Sequence, residues 1–188
     1  TAVFAAYFVG GVAGGADWAT FAWTAALSVS HLIVMFTIPA MGAWADRHAA
    51  KKRVLMMTTV GCVLGTAALA TVGPGAVVQA MVLIVVSSVF FAWGESFVAS
   101  FLPELARPAH MGRVSGWGWS LGYVGGMLAL GLSLGYVLWA QARGLPAAHF
   151  VPVTMLITAA VFACASVFTF VLLRERAVPV PAARPSGW

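Results

Sequence analysis

The fold of this 188-residue chain is indicated most clearly by one charged segment, Gly42-Ala43-Trp44-Ala45-Asp46-Arg47-His48-Ala49-Ala50-Lys51-Lys52-Arg53. It holds five of the chain's fifteen Asp, Glu, Lys and Arg residues within eight positions. No such residue occurs over residues 18–45 before the cluster or over residues 54–94 after it. Charged side chains avoid the lipid interior, so this pattern predicts two membrane-spanning helices joined by a short basic hairpin.

The composition extends this interpretation to the whole chain. Apolar residues make up 62% of it and charged residues 8%, and the mean hydropathy is +0.96. A soluble domain carries about 25% charged residues, so this chain has too little polar surface to cover a globule in water. We expect the lipid bilayer to surround it. The net charge of +5 does not indicate nucleic acid, because the cations flank apolar segments and form no basic stripe.

The apolar segments predict an all-α, polytopic membrane helix bundle with five full transmembrane helices and a partial first one. The first segment ends near Val12 and is too short to cross about 30 Å of hydrocarbon, so we expect the tail of a truncated helix. The full spans are predicted at residues 18–44, 53–72, 76–102, 113–140 and 149–173. Residues 1–176 would form one six-helix unit. Residues 177–188, with three prolines, would begin a flexible cytoplasmic linker.

The cations alternate between the two sides of the predicted bundle. Arg143 lies alone on one side, and the other nine lie on the opposite side: Arg47, Lys51, Lys52, Arg53, Arg107, Arg113, Arg174, Arg176 and Arg184. Cytoplasmic loops of membrane proteins are enriched in Lys and Arg. This pattern predicts a multi-pass protein of the cell (inner) membrane. Residues 45–52, residues 103–112 and the C-terminus would be cytoplasmic.

Two ionisable residues lie well inside predicted spans. Glu95 lies eight residues before Pro103, about 12 Å inside the end of its helix. A carboxyl group there is costly and must face protein or water, so Glu95 is either a neutral structural group or a proton or substrate site. His31 lies near mid-membrane in the second span. Imidazole exchanges protons near neutral pH, but it also serves as an ordinary hydrogen-bonding group.

The fifth span carries a stripe of small residues that includes Gly118, Gly122, Gly125 and Gly126. Small residues let two helix backbones approach closely, so the stripe predicts either static packing or a sliding surface between two halves. The third and sixth spans carry few polar residues and are expected to lie outermost. No spacing indicates a metal or a cofactor, and no nucleophile–base pair indicates an intramembrane enzyme. We therefore expect neither catalysis nor a bound cofactor.

Two segments resemble a known family. Gly42, Asp46, Arg47, Lys51 and Lys52 resemble the cytoplasmic signature of the major facilitator superfamily, which usually has glycine at the position of Ala49. The segment Leu102-Pro103-Glu104-Leu105-Ala106, with residues 112–126, resembles the vacuolar amino-acid effluxer branch linked to autophagy and its bacterial members. That branch often has Tyr-Asn-Ala where this chain has Val98-Ala99-Ser100.

The resemblance implies a twelve-helix, alternating-access transporter, of which this chain would be the N-terminal half. Helices one and four would line the cavity for a small solute, such as an amino acid for efflux, and helices two and five would meet the missing C-terminal half. The signature, extended by Glu104 and Arg113, would bias one access state. Alternating access needs both halves, so a membrane scaffold or an inactive fragment is the alternative. The complete reading frame would discriminate between these functions.

Overall fold

The computed structural model describes residues 2–173, and all of the elements found there are helical. The predicted linker at residues 177–188 and the cations Arg174, Arg176 and Arg184 lie outside the described residues. The helices are α1 Ala2–Tyr7, which continues as a π-helical segment at Phe8–Val12, then α2 Ala19–His48, α3 Lys51–Ala68, α4 Val77–Ser100, α5 Met111–Ala142 and α6 Ala147–Leu172. Single helical turns occupy Leu69–Thr71, Leu102–Leu105 and Pro108–His110.

Five of these helices, α2 to α6, are long and apolar enough to cross a membrane, which confirms the predicted helix bundle. Helices satisfy their own backbone hydrogen bonds, and hydrocarbon offers no other partner. The predicted loop at residues 45–52 is shorter than expected. Because α2 continues to His48 and α3 begins at Lys51, only Ala49 and Ala50 separate the two helices.

The corner between α2 and α3 is a Schellman motif. The N–H of Ala50 donates to the carbonyl of Ala45 at 2.9 Å, and the N–H of Ala49 donates to the carbonyl of Asp46 at 3.5 Å. Ala45 and Ala50 are both buried, which supplies the apolar contact of this motif. Ala49 has φ +46° and ψ +50°, a left-handed conformation that favours glycine. This conformation is a physical reason for the glycine that the signature usually carries at position 49.

Helix α4 is the centre of the bundle and packs against both α2 and α3. Helix α3 also packs against α6, whereas α5 is held mainly by α6. In the most apolar window of each helix, 39% of α3 is buried but only 6% of α5. The scarcity of polar side chains in the third span therefore did not indicate an exposed helix, because α3 is the most buried of the five spans.

The close glycine contacts lie on α3, not on α5. A Cβ added to Gly61 would come within 2.7 Å of the Phe90 ring on α4, and one added to Gly65 would come within 3.2 Å of the Cα of Ser87. A Cβ added to any glycine of the fifth-helix stripe would meet nothing within 4 Å in the described structure. Among the described helices, the α3–α4 seam is thus a place where two helices approach each other closely.

Two apolar clusters hold opposite ends of the bundle. At the hairpin end, which contains the Ala49–Ala50 corner, a cluster joins α2, α3 and α4 to the end of α6: Ala45, Val54, Leu55, Phe97, Phe101 and Leu173. At the far end, which contains Gly73 and Gly75, side chains of α1 enter a larger cluster: Phe4, Tyr7, Phe8 and Val12. The N–H of Gly75 donates to the carbonyl of Val12 at 2.9 Å and fixes α1 at this end.

We predict that Ala49→Gly stabilises the protein. Glycine removes the steric cost of the left-handed conformation, about 1 kcal/mol. Thermal unfolding in detergent would measure the gain. Ala43→Gly is the matched control, because Ala43 is exposed within α2 and glycine there should destabilise the helix by about 1 kcal/mol. A loss of stability at both positions would contradict the assignment of strain to Ala49.

We predict opposite responses from two glycines. Gly61→Ala should destabilise this chain by about 1–3 kcal/mol, because the Phe90 ring must move out of a packed seam. Gly122→Ala should be neutral or slightly stabilising, since the new methyl group meets open space and alanine favours a helix. Thermal unfolding of the two variants would compare their stabilities. Equal changes in stability would refute the placement of the close seam on α3.

Candidate functional site

A cavity of about 460 Å³ lies between α3, α4, α5 and α6. Its lining comes from the halves of these helices nearest the hairpin end, so it lies across the bundle from the far-end cluster. Its walls are mostly apolar and aromatic, with Phe90, Phe91, Trp119, Phe162 and Phe170 among them. This volume is in the range of sites that bind small molecules.

Glu95 is the one acidic or basic side chain among the described residues that line this cavity. Its side chain is exposed, and within residues 2–173 its carboxylate has no hydrogen bond or ion pair. Two hydroxyls of the cavity lining donate to backbone carbonyls of their own helices: Thr58 to Leu55, and Ser166 to Phe162. The described part of the chain thus provides none of the partners that a purely structural glutamate would need.

His31 lies elsewhere. It is exposed on α2, which contributes no residue to the cavity, and its Nδ1 donates to the carbonyl of Leu27 at 2.7 Å. The structure therefore does not bring His31 and Glu95 into one cavity. In the described segment, no three His, Cys, Asp or Glu side chains are placed to hold a metal ion.

The hairpin signature forms an ion network centred on Lys51. Its Nζ lies 3.1 Å from Oε1 of Glu104 and 3.2 Å from Oδ1 of Asp46. The side chains of Lys51 and Glu104 are 17% and 16% exposed, whereas that of Asp46 is 60% exposed. The network joins the end of α2 and the start of α3 to the turn that follows α4.

Three predicted members lie outside this network. Arg47 and Arg113 are exposed and form no ion pair within residues 2–173. A Cβ added to Gly42 would meet nothing within 4 Å of the described structure. Arg113 therefore does not extend the network toward α5.

Lys52 also differs from its neighbour. Its Nζ donates to two backbone carbonyls at the end of α6, those of Phe170 at 2.9 Å and Leu173 at 2.6 Å. The signature groups Lys52 with Lys51, and nothing in the local pattern indicated these partners more than a hundred residues away. The aromatic cavity walls were missed for the same reason, since they come from three separate helices.

The comparisons with known proteins point to one family. The sequence profile described as "Vacuole effluxer Atg22 like" matches residues 8–185. An "Uncharacterized MFS-type transporter YxiO" of Bacillus subtilis (strain 168) is 28% identical over 120 residues, which cover 64% of this chain and 28% of that protein. The match thus spans little more than a quarter of this relative. No solved structure matches the chain.

We predict that Glu104→Gln destabilises the protein more than Asp46→Asn. Glu104 is largely buried, so losing its charge leaves Lys51 poorly compensated, at a cost of about 1–3 kcal/mol. Asp46 is mostly in solvent, where an ion pair contributes below about 1 kcal/mol and is screened by salt. Thermal unfolding at low and high salt would compare the variants. The ranking is wrong if Asp46→Asn costs as much as Glu104→Gln at high salt.

Proposed function

The chain belongs to the vacuole effluxer Atg22-like family, and from this premise we propose that it is the N-terminal half of a secondary active transporter. It would move a small solute by alternating access, together with a C-terminal half. The exposure of α5 supports this proposal, because most of its side chains are exposed and a Cβ added to its stripe glycines would meet nothing within 4 Å in the described structure. The second half would cover Gly118, Gly122, Gly125 and Gly126 and pack closely on them.

We propose further that residues 1–176 form one transporter half. Its first helix, at Val3–Val12, packs in the far-end cluster, while the cavity lies in the hairpin half of the bundle. Glu95 of α4 would face the space that the two halves of the transporter enclose.

The observation that carries the functional proposal is that the carboxylate of Glu95 lies in an aromatic cavity and has no partner within residues 2–173. A charged carboxylate in apolar surroundings destabilises the folded protein, and ionisable residues retained at such positions commonly bind a substrate, an ion or a proton. It can accept a proton or pair with an ammonium group, and aromatic faces also attract cations. An amino acid is therefore the substrate class that we propose, and efflux is the direction that the family's name suggests.

The same chemistry provides the coupling. A proton and the substrate's amino group would compete for Glu95, so binding one would release the other. The hairpin network of Asp46, Lys51 and Glu104 would bias one access state from the end of the bundle, and His31 would be a second proton-binding candidate.

We also propose that the hairpin end is cytoplasmic, which places residues 45–52 and 103–112 inside the cell and the protein in the cell membrane. The Lys51–Glu104 ion pair brings these two segments to one end of the bundle. The positive-inside bias supports that orientation.

We predict that Glu95→Gln abolishes coupled transport by the complete transporter and leaves folding nearly intact, because glutamine keeps the shape but cannot bind and release a proton. Amino-acid flux and internal pH would be measured together in proteoliposomes. Asp17→Asn is the matched control, since it makes the same chemical change at an exposed site outside the cavity. Unchanged rate and pH dependence in Glu95→Gln would move the coupling site elsewhere, with His31 next to be tested.

We predict that His110 and His149, which are exposed at opposite ends of the bundle, lie on the cytoplasmic and the outer side of the membrane, respectively. In a variant without Cys62 and Cys164, His110→Cys should react with an impermeant maleimide only after cell lysis, whereas His149→Cys should react in intact cells. The reverse pattern would invert the proposed topology.

A further inference from the structure

Lys52 links the first turn of α3 to the last turn of α6. Its ammonium group donates to the carbonyls of Phe170 and Leu173 and lies in a partly buried position. Both contacts are short, and they join residues 118 and 121 positions apart in the chain. The side chain therefore bridges two helices that also pack against each other.

The electrostatics of both helix ends favour this arrangement. The last carbonyls of a helix have no partner within the helix and carry partial negative charge. A cation in the last turn commonly satisfies them, but α6 has no basic residue in its last turn. At the N-terminus of α3, by contrast, a lysine is disfavoured by the helix dipole. Lys52 thus places its charge away from the N-terminus of α3 and supplies a cation to α6, whose described last turn contains no basic residue.

We propose that Lys52 is a positioning residue that fixes the point where the chain leaves α6. Leu173 is the residue at that point. It is buried in the hairpin-end cluster beside Phe101, and its carbonyl is held by Lys52. This inference rests on the proposed function, in which the segment after residue 173 leads to the second half. Lys52 would fix the position of that segment relative to the hairpin. Lys51 instead pairs with the carboxylates of Asp46 and Glu104.

The test compares three substitutions in the complete transporter. Lys52→Met removes the cation and its donors, and Lys52→Arg retains both. Arg53→Met is the matched control, because Arg53 is an exposed cation in the same helical turn. Hydrogen exchange at residues 171–173 reports the end of α6. Spin labels at Val60 and Val171, both exposed, report the distance between α3 and α6.

We expect Lys52→Met to speed exchange at residues 171–173 by about tenfold, the effect of losing one or two charged hydrogen bonds. It should also broaden the Val60–Val171 distance distribution and lower the maximal transport rate without raising KM, since Lys52 itself does not line the cavity. Lys52→Arg should restore all three properties, and Arg53→Met should change none of them.

Two results would overturn the inference. If the hydrogen-exchange rates at residues 171–173 are the same in Lys52→Met and Arg53→Met, Lys52 does not hold the end of α6. If exchange rises but the distance distribution and the transport rate match those of Arg53→Met, Lys52 only stabilises a helix end. If no variant and no wild-type protein moves solute, the proposed function fails. The exchange and distance measurements would then still decide the positioning role.

Discussion

Hydrocarbon neither solvates a peptide group nor drives apolar helices together. The chain must therefore satisfy its own backbone hydrogen bonds and hold its helices together by other contacts, and the rest of the structure depends on these two requirements. Each backbone segment in the membrane forms its hydrogen bonds within a helix. Association must then come from close packing and from a few polar links. The seam where Gly61 and Gly65 of α3 meet Phe90 and Ser87 of α4 supplies the packing. The bond from the Trp93 indole to the Thr37 hydroxyl, 2.9 Å long, links α4 to α2.

The two adjacent lysines show how helix geometry divides a charged motif. Successive residues on a helix point about 100° apart, so Lys51 and Lys52 cannot serve the same partners. Lys51 faces the ends of α2 and α4 and meets two carboxylates. Lys52 faces α6 and meets two carbonyls. One short basic run therefore ties the start of α3 to three other parts of the chain.

Much of this fold could be predicted from local patterns. Long apolar runs and charge clusters identified all five spans, because hydropathy is a property of consecutive residues. The Lys51–Glu104 contact followed from a resemblance, not from spacing. The glycine seam on α3 was missed although Gly61 and Gly65 stand four positions apart, the spacing that places two glycines on one helix face for close packing. The prediction followed the longer stripe on α5, where an added Cβ would meet nothing within 4 Å in the described residues.

The candidate site divides in the same way. Glu95 stands out in the sequence, since a carboxyl group inside an apolar span is rare. Its aromatic surroundings could not be predicted, because Phe90, Trp119 and Phe162 come together only through the packing of three helices. The left-handed conformation of Ala49 was equally hidden, as alanine gives no local sign of a positive φ.

The two-residue corner at Ala49 and Ala50 also bears on proteolysis. Trypsin cleaves after lysine and arginine, and four such residues surround this corner. A protease must bind its substrate as an extended segment. Here α2 ends at His48 and α3 begins at Lys51, so only two residues lie outside a helix. Cleavage would require unwinding the ends of α2 and α3 and releasing both lysines. The most basic part of the chain should therefore resist limited digestion while the bundle is folded, and early cuts there would reveal fraying of the corner.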